Sequence, residues 1–258
     1  MPATQIPARA GKLQGKVAVV TGGGSGIGLA TARLYRAEGA TVVITASTAG
    51  SFAKAKTELG KEFDVFQVDV ADVAQIEALF AYVKSKYGFV DVVFANAGIA
   101  QFKPTLEFEV ELYDRIMDVN VRGVYYTVAR ALPLFRDGGV VVINSSMASV
   151  MGIPGASVYA ATKATIRSFV RTWTAEIPPA KVRFNVLSPG PTLTPIFGKL
   201  GPDSSGHTPE IEAFAQMVPM KRAADVDEIA KAALFLSCAD SSYVAGADLF
   251  ASGGGGQV

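Results

Sequence analysis

Tyr159 and Lys163 stand four residues apart in a helical pattern, so they share one face about one turn apart. An ammonium near a phenol favours phenolate and lowers its pKa from ~10 toward working pH, which lets a tyrosine exchange a proton with a carbinol. Ser146, thirteen residues before Tyr159, ends a β-branched run, where a hydroxyl can hydrogen-bond a substrate oxygen while charge develops on it; Ser145 and Ser149 are rivals. Any Tyr-x-x-x-Lys on a helix matches the pair, and a strand-end serine is commonly a turn or cap residue, so the setting has to decide. Other chemistries are poorly supplied. Cys238 is the only cysteine and His207 the only histidine, which excludes an intrachain disulfide and thiolate metal sites and leaves no metal expected. A Ser/His/Asp triad would have to recruit His207 from the polar stretch Gly201 to Thr208, where a solvated loop histidine is expected.

A second constellation lies near the start. The apolar run Val17 to Thr21 leads into Gly22-Gly23-Gly24-Ser25-Gly26-Ile27-Gly28 and then a helical pattern. Without Cβ atoms such a turn brings amides close to a pyrophosphate and aims a helix N-terminus at it, although Gly22-x-x-x-Gly26-x-Gly28 is not the strict G-x-G-x-x-G spacing. An NAD site expects an acid ~20 positions on, at the end of the second strand. That place reads Thr45-Ala46-Ser47-Thr48. Without the carboxylate a 2′-phosphate is not repelled, and Ser47 and Thr48 offer it hydroxyls, so NADP(H) is favoured with NAD(H) still possible. No arginine makes that selection firm, and Lys54 is the nearest candidate cation. Asp69 and Val70 follow the third strand and Asn96-Ala97-Gly98 the fourth. Asp69 can accept from an adenine amino group or cap the helix beginning at Val73; Asn96 and Gly98 are equally readable as turn formers.

The elements that must position these residues are legible as an alternation. β-Branched runs at Val17 to Thr21, Thr41 to Thr45, Val65 to Val68, Val90 to Ala95, Val140 to Asn144 and Val182 to Leu187 are nearly continuous in apolar character, as parallel strands covered on both faces should be. Between them Gly28 to Glu38, Ser51 to Leu59, Val73 to Tyr87, Val110 to Leu134 and Val158 to Ile177 carry three- and four-residue apolar spacing. The expected fold is an α/β single domain, a Rossmann-like doubly wound parallel sheet of about seven strands with helices on both faces, closing with a helix over Asp225 to Ser237 and a strand at Ala247 to Ala251. We expect an N-terminal extension over residues 1–15 and one domain over 16–258. The proline- and glycine-rich stretch after Leu187, with the amphipathic Glu210 to Met217, reads as a substrate lid over about 188–220.

Thr21-Gly22-x-x-x-Gly26-x-Gly28, Asn96-Ala97-Gly98, Asn120 in Met117-Asp118-Val119-Asn120-Val121, Ser146, Tyr159-x-x-x-Lys163 and Asn185-Val186-Leu187-Ser188-Pro189-Gly190 occur in order across roughly Lys16 to Gly254. Together they resemble the classical short-chain dehydrogenase/reductase family, in particular its broad ketone-reducing and glucose-dehydrogenase-like members. The resemblance implies that Tyr159 is the acid/base and that Ser146, by its spacing, orients the carbonyl. It implies that Lys163 binds the nicotinamide ribose and lowers the tyrosine pKa, and that Asn120 holds a water in a proton relay. Asn120 is also readable as an amide filling a helix irregularity. Pro189 and Gly190 would pass the nicotinamide, with Thr192 or Thr194 at its carboxamide. Ala251-Ser252-Gly253-Gly254 departs from relatives that have an aspartate before the glycine pair.

Composition bounds the rest. Half of the 258 residues are hydrophobic and 18% charged, and 24 Lys plus Arg against 23 Asp plus Glu leave a formal charge of +1, so neither nucleic acid nor an anionic membrane is an expected partner. No run approaches the ~18 apolar residues of a membrane span, and Met1 to Lys12 has no apolar segment after Arg9 and Lys12, so a cytoplasmic protein is expected. Met151, Ile153, Pro191, Ile196, Phe197, Phe214 and Met217 suit a small neutral ketone or secondary alcohol. A homotetramer is what the family resemblance implies. Two other functions share these residues: a 3-oxoacyl-carrier-protein reductase, with Lys103, Arg122 and Arg130 as a docking patch, and a non-catalytic NADP(H)-binding regulator.

Overall fold

The computed structural model describes residues 11–194 and 208–257. Its sheet has seven parallel strands, β1 (Val17–Val20), β2 (Thr41–Ala46), β3 (Asp64–Gln67), β4 (Val90–Ala95), β5 (Phe135–Asn144), β6 (Val182–Pro189) and β7 (Asp248–Ala251), in the order β3-β2-β1-β4-β5-β6-β7. The order reverses between β1 and β4, so the crossovers on either side leave on opposite faces and a crevice opens at the carboxyl ends of those two strands. The helices are α1 (Gly26–Ala37), α2 (Ala49–Leu59), α3 (Val73–Tyr87), α4 (Val110–Met117), α5 (Gly123–Ala131), α6 (Ser157–Glu176), α7 (Pro209–Met217) and α8 (Val226–Ser237).

Alternation along each strand sends neighbours to opposite cores. Val19, Val43, Val93 and Val141 join Ile76, Leu79, Phe80, Ile166, Val170 and Trp173 on one face. Ala18, Val20, Ile44, Phe94 and Val142 join Tyr35, Ile229 and Leu236 on the other. The continuous apolar runs of the sequence are therefore two interleaved half-runs.

Three expectations are corrected. The strand expected from Val140 starts at Phe135, because the polar Arg136-Asp137-Gly138-Gly139 still hydrogen-bonds β6 and its flank. The single helix expected over Val110 to Leu134 is α4, a π-turn over Asp118–Arg122, α5 and a 3₁₀ turn at Leu132–Leu134. Part of the expected N-terminal extension belongs to the domain: Leu13 is buried, and its amide donates to the Glu38 carbonyl at the end of α1. Residues 1–10 lie outside the described residues.

The end of the sheet away from the crevice is tied by Asp91, which is 3% exposed. Its carboxylate accepts from the Val17 amide at 2.8 Å and from Arg136 at 2.6, 2.8 and 3.1 Å, joining the starts of β1, β4 and β5. Replacing Asp91 by alanine leaves a buried amide without its acceptor, so Asp91→Ala should lower unfolding free energy by about 2 kcal/mol in denaturant titrations. The crevice at the opposite strand ends should keep its ligand affinity.

Candidate active site

The glycine loop is shaped by close approach. Gly22 has φ of 64° and its amide donates to Thr45 Oγ1 at 3.1 Å, while the Gly23 amide donates to the Thr45 carbonyl at 2.9 Å. A Cβ on Gly28 would sit 2.3 Å from the Gly22 carbonyl oxygen and 2.5 Å from Asn96 Nδ2, and one on Gly23 would sit 2.7 Å from Ile44 Cβ. Only glycines let α1 start this close under β1. Ser25 is the N-cap of α1, yet its side chain makes no capping bond and lines the crevice. Thr21 closes the base: its hydroxyl accepts from the Asn96 and Ala97 amides at 3.0 and 3.1 Å.

The crevice, of about 380 Å³, is lined by most of the residues singled out from sequence. Gly22, Gly24, Ser25, Gly26, Ile27, Ala46, Ser47, Thr48, Asp69, Val70, Asn96, Ala97 and Gly98 line one part. Ser146, Tyr159, Lys163, Pro189, Gly190, Thr192 and Thr194 line the other. Gly28 is buried behind the loop as a spacer, and Asn120 is fully buried inside the π-turn, neither on the wall. Of the apolar lid candidates, Ile153, Pro191 and Phe214 reach the crevice, whereas Met151 and Met217 do not line it; Ile196 and Phe197, like His207, fall outside the described residues.

Several polar groups already have work. Thr48 caps α2 in a reciprocal box with Ser51, accepting from the Ser51 amide at 3.1 Å. The cap of α3 is Asp72, accepting from the Ala74 amide at 2.9 Å, and not Asp69. Asp69 instead accepts from the Ala71 amide and meets Arg115 at 2.8 Å across the crevice. Lys54 faces Glu58 at 3.7 Å and does not line the crevice.

At the other end, the three serines separate. Ser145 Oγ donates to the Lys163 carbonyl at 3.0 Å, tying β5 to α6. Ser149 Oγ is buried with no partner. Ser146 Oγ faces the crevice beside the phenol and accepts from the Ala148 amide at 3.1 Å. Of the three, Ser146 is the one hydrogen-bonded to the Tyr159 phenol. Lys163 Nζ donates to the Asn144 carbonyl at 2.8 Å and lies 5.6 Å from the centre of the Tyr159 ring. The ammonium is held against the ring, so the expected depression of the phenol is not what these groups produce by themselves. Burial raises the Tyr159 pKa, with the Ser146 hydroxyl acting the other way, and burial lowers that of Lys163 to about 8.

The Asn120 amide is spent on scaffold. Its Oδ1 accepts from the Ile99 amide at 2.9 Å, and its Nδ2 donates to the Ile99 carbonyl at 2.9 Å and to Thr162 Oγ1 at 3.2 Å. The extra residue of a π-turn is what admits this side chain between the loop after β4 and α6. Sequence reasoning missed Phe102, Arg115 and Asn144 on the wall. Phe102 stands between Tyr159 and Phe214, ring centres 5.9 and 5.8 Å away. The turn Ser252 to Gly256 backs this end: a Cβ on Gly190 would sit 2.6 Å from the Ser252 carbonyl oxygen, and one on Gly255 would sit 2.7 Å from Met147 Sδ.

A glycine loop at the sheet's reversal point facing a serine, a tyrosine and a lysine defines a dinucleotide-type oxidoreductase site, and the comparisons agree. The chain belongs to the short-chain dehydrogenase/reductase family, and a family model described as enoyl-(acyl carrier protein) reductase matches residues 22–255. A 3-oxoacyl-[acyl-carrier-protein] reductase of Thermotoga maritima is 34% identical over 249 residues, 94% of this chain and 98% of that one. Among solved structures, a short-chain dehydrogenase of Burkholderia cenocepacia in complex with NADP is similar at TM-score 0.85 and 27% identity, covering 95% of this chain and 99% of that chain. A 3-ketoacyl-(acyl-carrier-protein) reductase of Brucella melitensis complexed with NADH gives TM-score 0.85 and 30% identity with the same two coverages. The chain is a dehydrogenase/reductase.

The buried lysine has a readable linkage. Its folded pKa of about 8 lies below the ordinary 10.5, so between those values the unfolded chain holds more protons and stability rises with pH. The cost of the buried ammonium, about 3 kcal/mol, is fully present below pH ~8. Unfolding titrations from pH 7 to 9.5 should show that rise, and Lys163→Met should flatten it.

Proposed function

We propose that this chain transfers hydride between NADP(H) and a small neutral ketone or secondary alcohol, with Tyr159 as acid/base. The observation that carries the reading is the Ser146 hydroxyl beside the Tyr159 phenol on the crevice wall, with Lys163 fixed behind the ring by the Asn144 carbonyl. When bound, the nicotinamide supplies the hydride. Gly22 to Gly28 would cradle its pyrophosphate, Lys163 its ribose, and Pro189, Gly190, Thr192 and Thr194 its carboxamide end; the Cβ-free cradle and the uncommitted Ser25 cap fit that group. Ser146 donates to the carbonyl oxygen and holds it at the phenol, and Tyr159 O–H delivers the proton as charge develops there. Since burial alone holds the phenol protonated, the proton donor is ready before substrate arrives. Asn120 supports the relay from behind, through Thr162 on the tyrosine's own helix.

NADP(H) is preferred on the grounds of Ala46, Ser47 and Ser25, where no carboxylate opposes a 2′-phosphate. The lid proposed over 188–220 includes residues 195–207, which lie outside the described residues, and the apolar wall of Phe102, Ile153, Pro191 and Phe214 suits a neutral substrate. The protein is a homotetramer in this reading, with Tyr125 of α5, exposed and edge-on to Phe169 of α6, available to a second copy. A second reading, a 3-oxoacyl-carrier-protein reductase, is favoured by the names of the Thermotoga and Brucella proteins. Against it, each cation of the expected docking patch has a carboxylate: Lys103 with Glu109, Arg122 with Asp118, Arg130 with Glu77. An acidic carrier would meet little free positive charge there.

Initial rates on a ketone panel with NADPH and NADH test the reading. Tyr159→Phe should cost at least about 100-fold in kcat while leaving cofactor affinity within a few fold. Retained turnover in that variant would remove Tyr159 from the role, and faster turnover of a 3-oxoacyl carrier protein than of any free ketone would establish the second reading. Ala46→Asp should move preference toward NADH by about tenfold or more, measured as the ratio of kcat/KM for the two cofactors.

A further inference from the structure

Asn144, the last residue of β5, touches both halves of the site. Its main-chain carbonyl accepts from Lys163 Nζ at 2.8 Å, and its side-chain Nδ2 donates to Asn96 Oδ1 at 2.9 Å. Asn96 in turn donates through Nδ2 to the carbonyls of Thr21 and Gly22, at 3.0 and 3.2 Å. Two carbonyl acceptors on that nitrogen fix which way the Asn96 amide points, so its oxygen must face Asn144 and Asn144 must present its nitrogen. The Oδ1 of Asn144 is then buried with no partner. The end of the amide that the surrounding structure uses is thus its donor, spent on Asn96 at the floor of the crevice.

We propose that Asn144 is a positioning residue for the reaction: through Asn96 its side chain sets the glycine loop against the lysine that its own carbonyl holds. The inference deepens the cofactor reading given above and rests on it. The chain of contacts has no slack. A Cβ on Gly22 would sit 2.9 Å from Ala97 Cα and 3.1 Å from Asn96 Nδ2, and a Cβ on Gly28 would strike the same nitrogen and the Gly22 carbonyl. A turn of the Asn96 amide therefore moves the loop whose amides face the pyrophosphate. The bond from Lys163 uses main chain and survives any substitution of the Asn144 side chain, so affinity for the dinucleotide and the chemical step should separate.

The test is NADP+ affinity by titration calorimetry at pH 7.5 and pH 5, for the parent, Asn144→Ala and Asn144→Asp, together with KM for NADPH and kcat on a ketone that the parent reduces. Asn144→Ala should raise Kd and KM by about tenfold at both pH values, with kcat within about threefold. In Asn144→Asp an ionised carboxylate would oppose Asn96 Oδ1, and a protonated one would donate to it. Its Kd relative to the parent should therefore be raised at pH 7.5 and recover toward the parent at pH 5. A role confined to stability would lower Tm and leave Kd unmoved. Parent-like Kd in both variants, or an Asn144→Asp defect that does not recover in acid, overturns the inference. If Asn144→Ala does not fold, the acid recovery of Asn144→Asp decides. A parent that binds neither NADP+ nor NAD+ overturns the cofactor reading as well, which distinguishes that failure from variants that bind as the parent does.

Discussion

Where a parallel sheet reverses its strand order, two neighbouring strands send their chains to opposite faces, and the backbone between them is left to part. In this protein the parting is held by Thr21 and Asn96. The threonine hydroxyl accepts two amides from the far side, and the asparagine amide returns two bonds to carbonyls of the near side. Every other functional position is measured from this clasp. The glycine loop is packed against Asn96, the loop after β4 starts from it, and Asn144 reaches it from the next strand. A crevice open enough for a dinucleotide and stiff enough to aim amides at it follows from closing the base with side chains while the rim stays clear.

The second constraint is electrostatic. Tyr159 and Lys163 share a desolvated wall, and desolvation works against ionisation of both: it raises the phenol and lowers the ammonium. In that state the pair is one proton donor and one cation held at a cost. Nothing among the described residues on that wall returns the cost with a carboxylate; Lys163 has only the Asn144 carbonyl as its polar partner. A lysine so placed is complementary to a neutral or anionic oxygen arriving in the crevice, which suits a ribose hydroxyl.

The sheet was legible in the amino-acid sequence because continuous β-branched runs have few other uses in a chain of this length, and the strand-end residues followed from the architecture. Two elements were not. Phe135 to Gly139 falls between the expected helix and the expected strand, since its strand character comes from pairing with Val90 and with β6 and the segment before it rather than from its own side chains. The π-turn at Asp118–Arg122 keeps both flanking helices in apolar register, so periodicity sees one helix through it. In the site, spacing paired Tyr159 with Lys163, whereas Ser146 was set apart from Ser145 and Ser149 only by the resemblance to the family. Phe102, Arg115 and Asn144 were not recoverable, because each acquires its place from a contact distant in sequence: Phe102 from Phe214, Arg115 from Asp69, Asn144 from Asn96. Spacing also placed Lys163 one turn from Tyr159 without telling whether its nitrogen would meet the hydroxyl or the ring.

The glycine turn at Ser252 to Gly256 rests on Gly190 and on Met147, the neighbour of Ser146. In vectorial synthesis this has a temporal meaning. The segment bearing Ser146 leaves the ribosome about a hundred residues before the turn that supports it, and contacts of that sequence separation form late because loop closure must precede them. A nascent chain can therefore wind α1, close the Thr21–Asn96 clasp and bury much of both cores while Ser146 is still unsupported. The crevice floor would then be in place before the wall that bears Ser146 is backed.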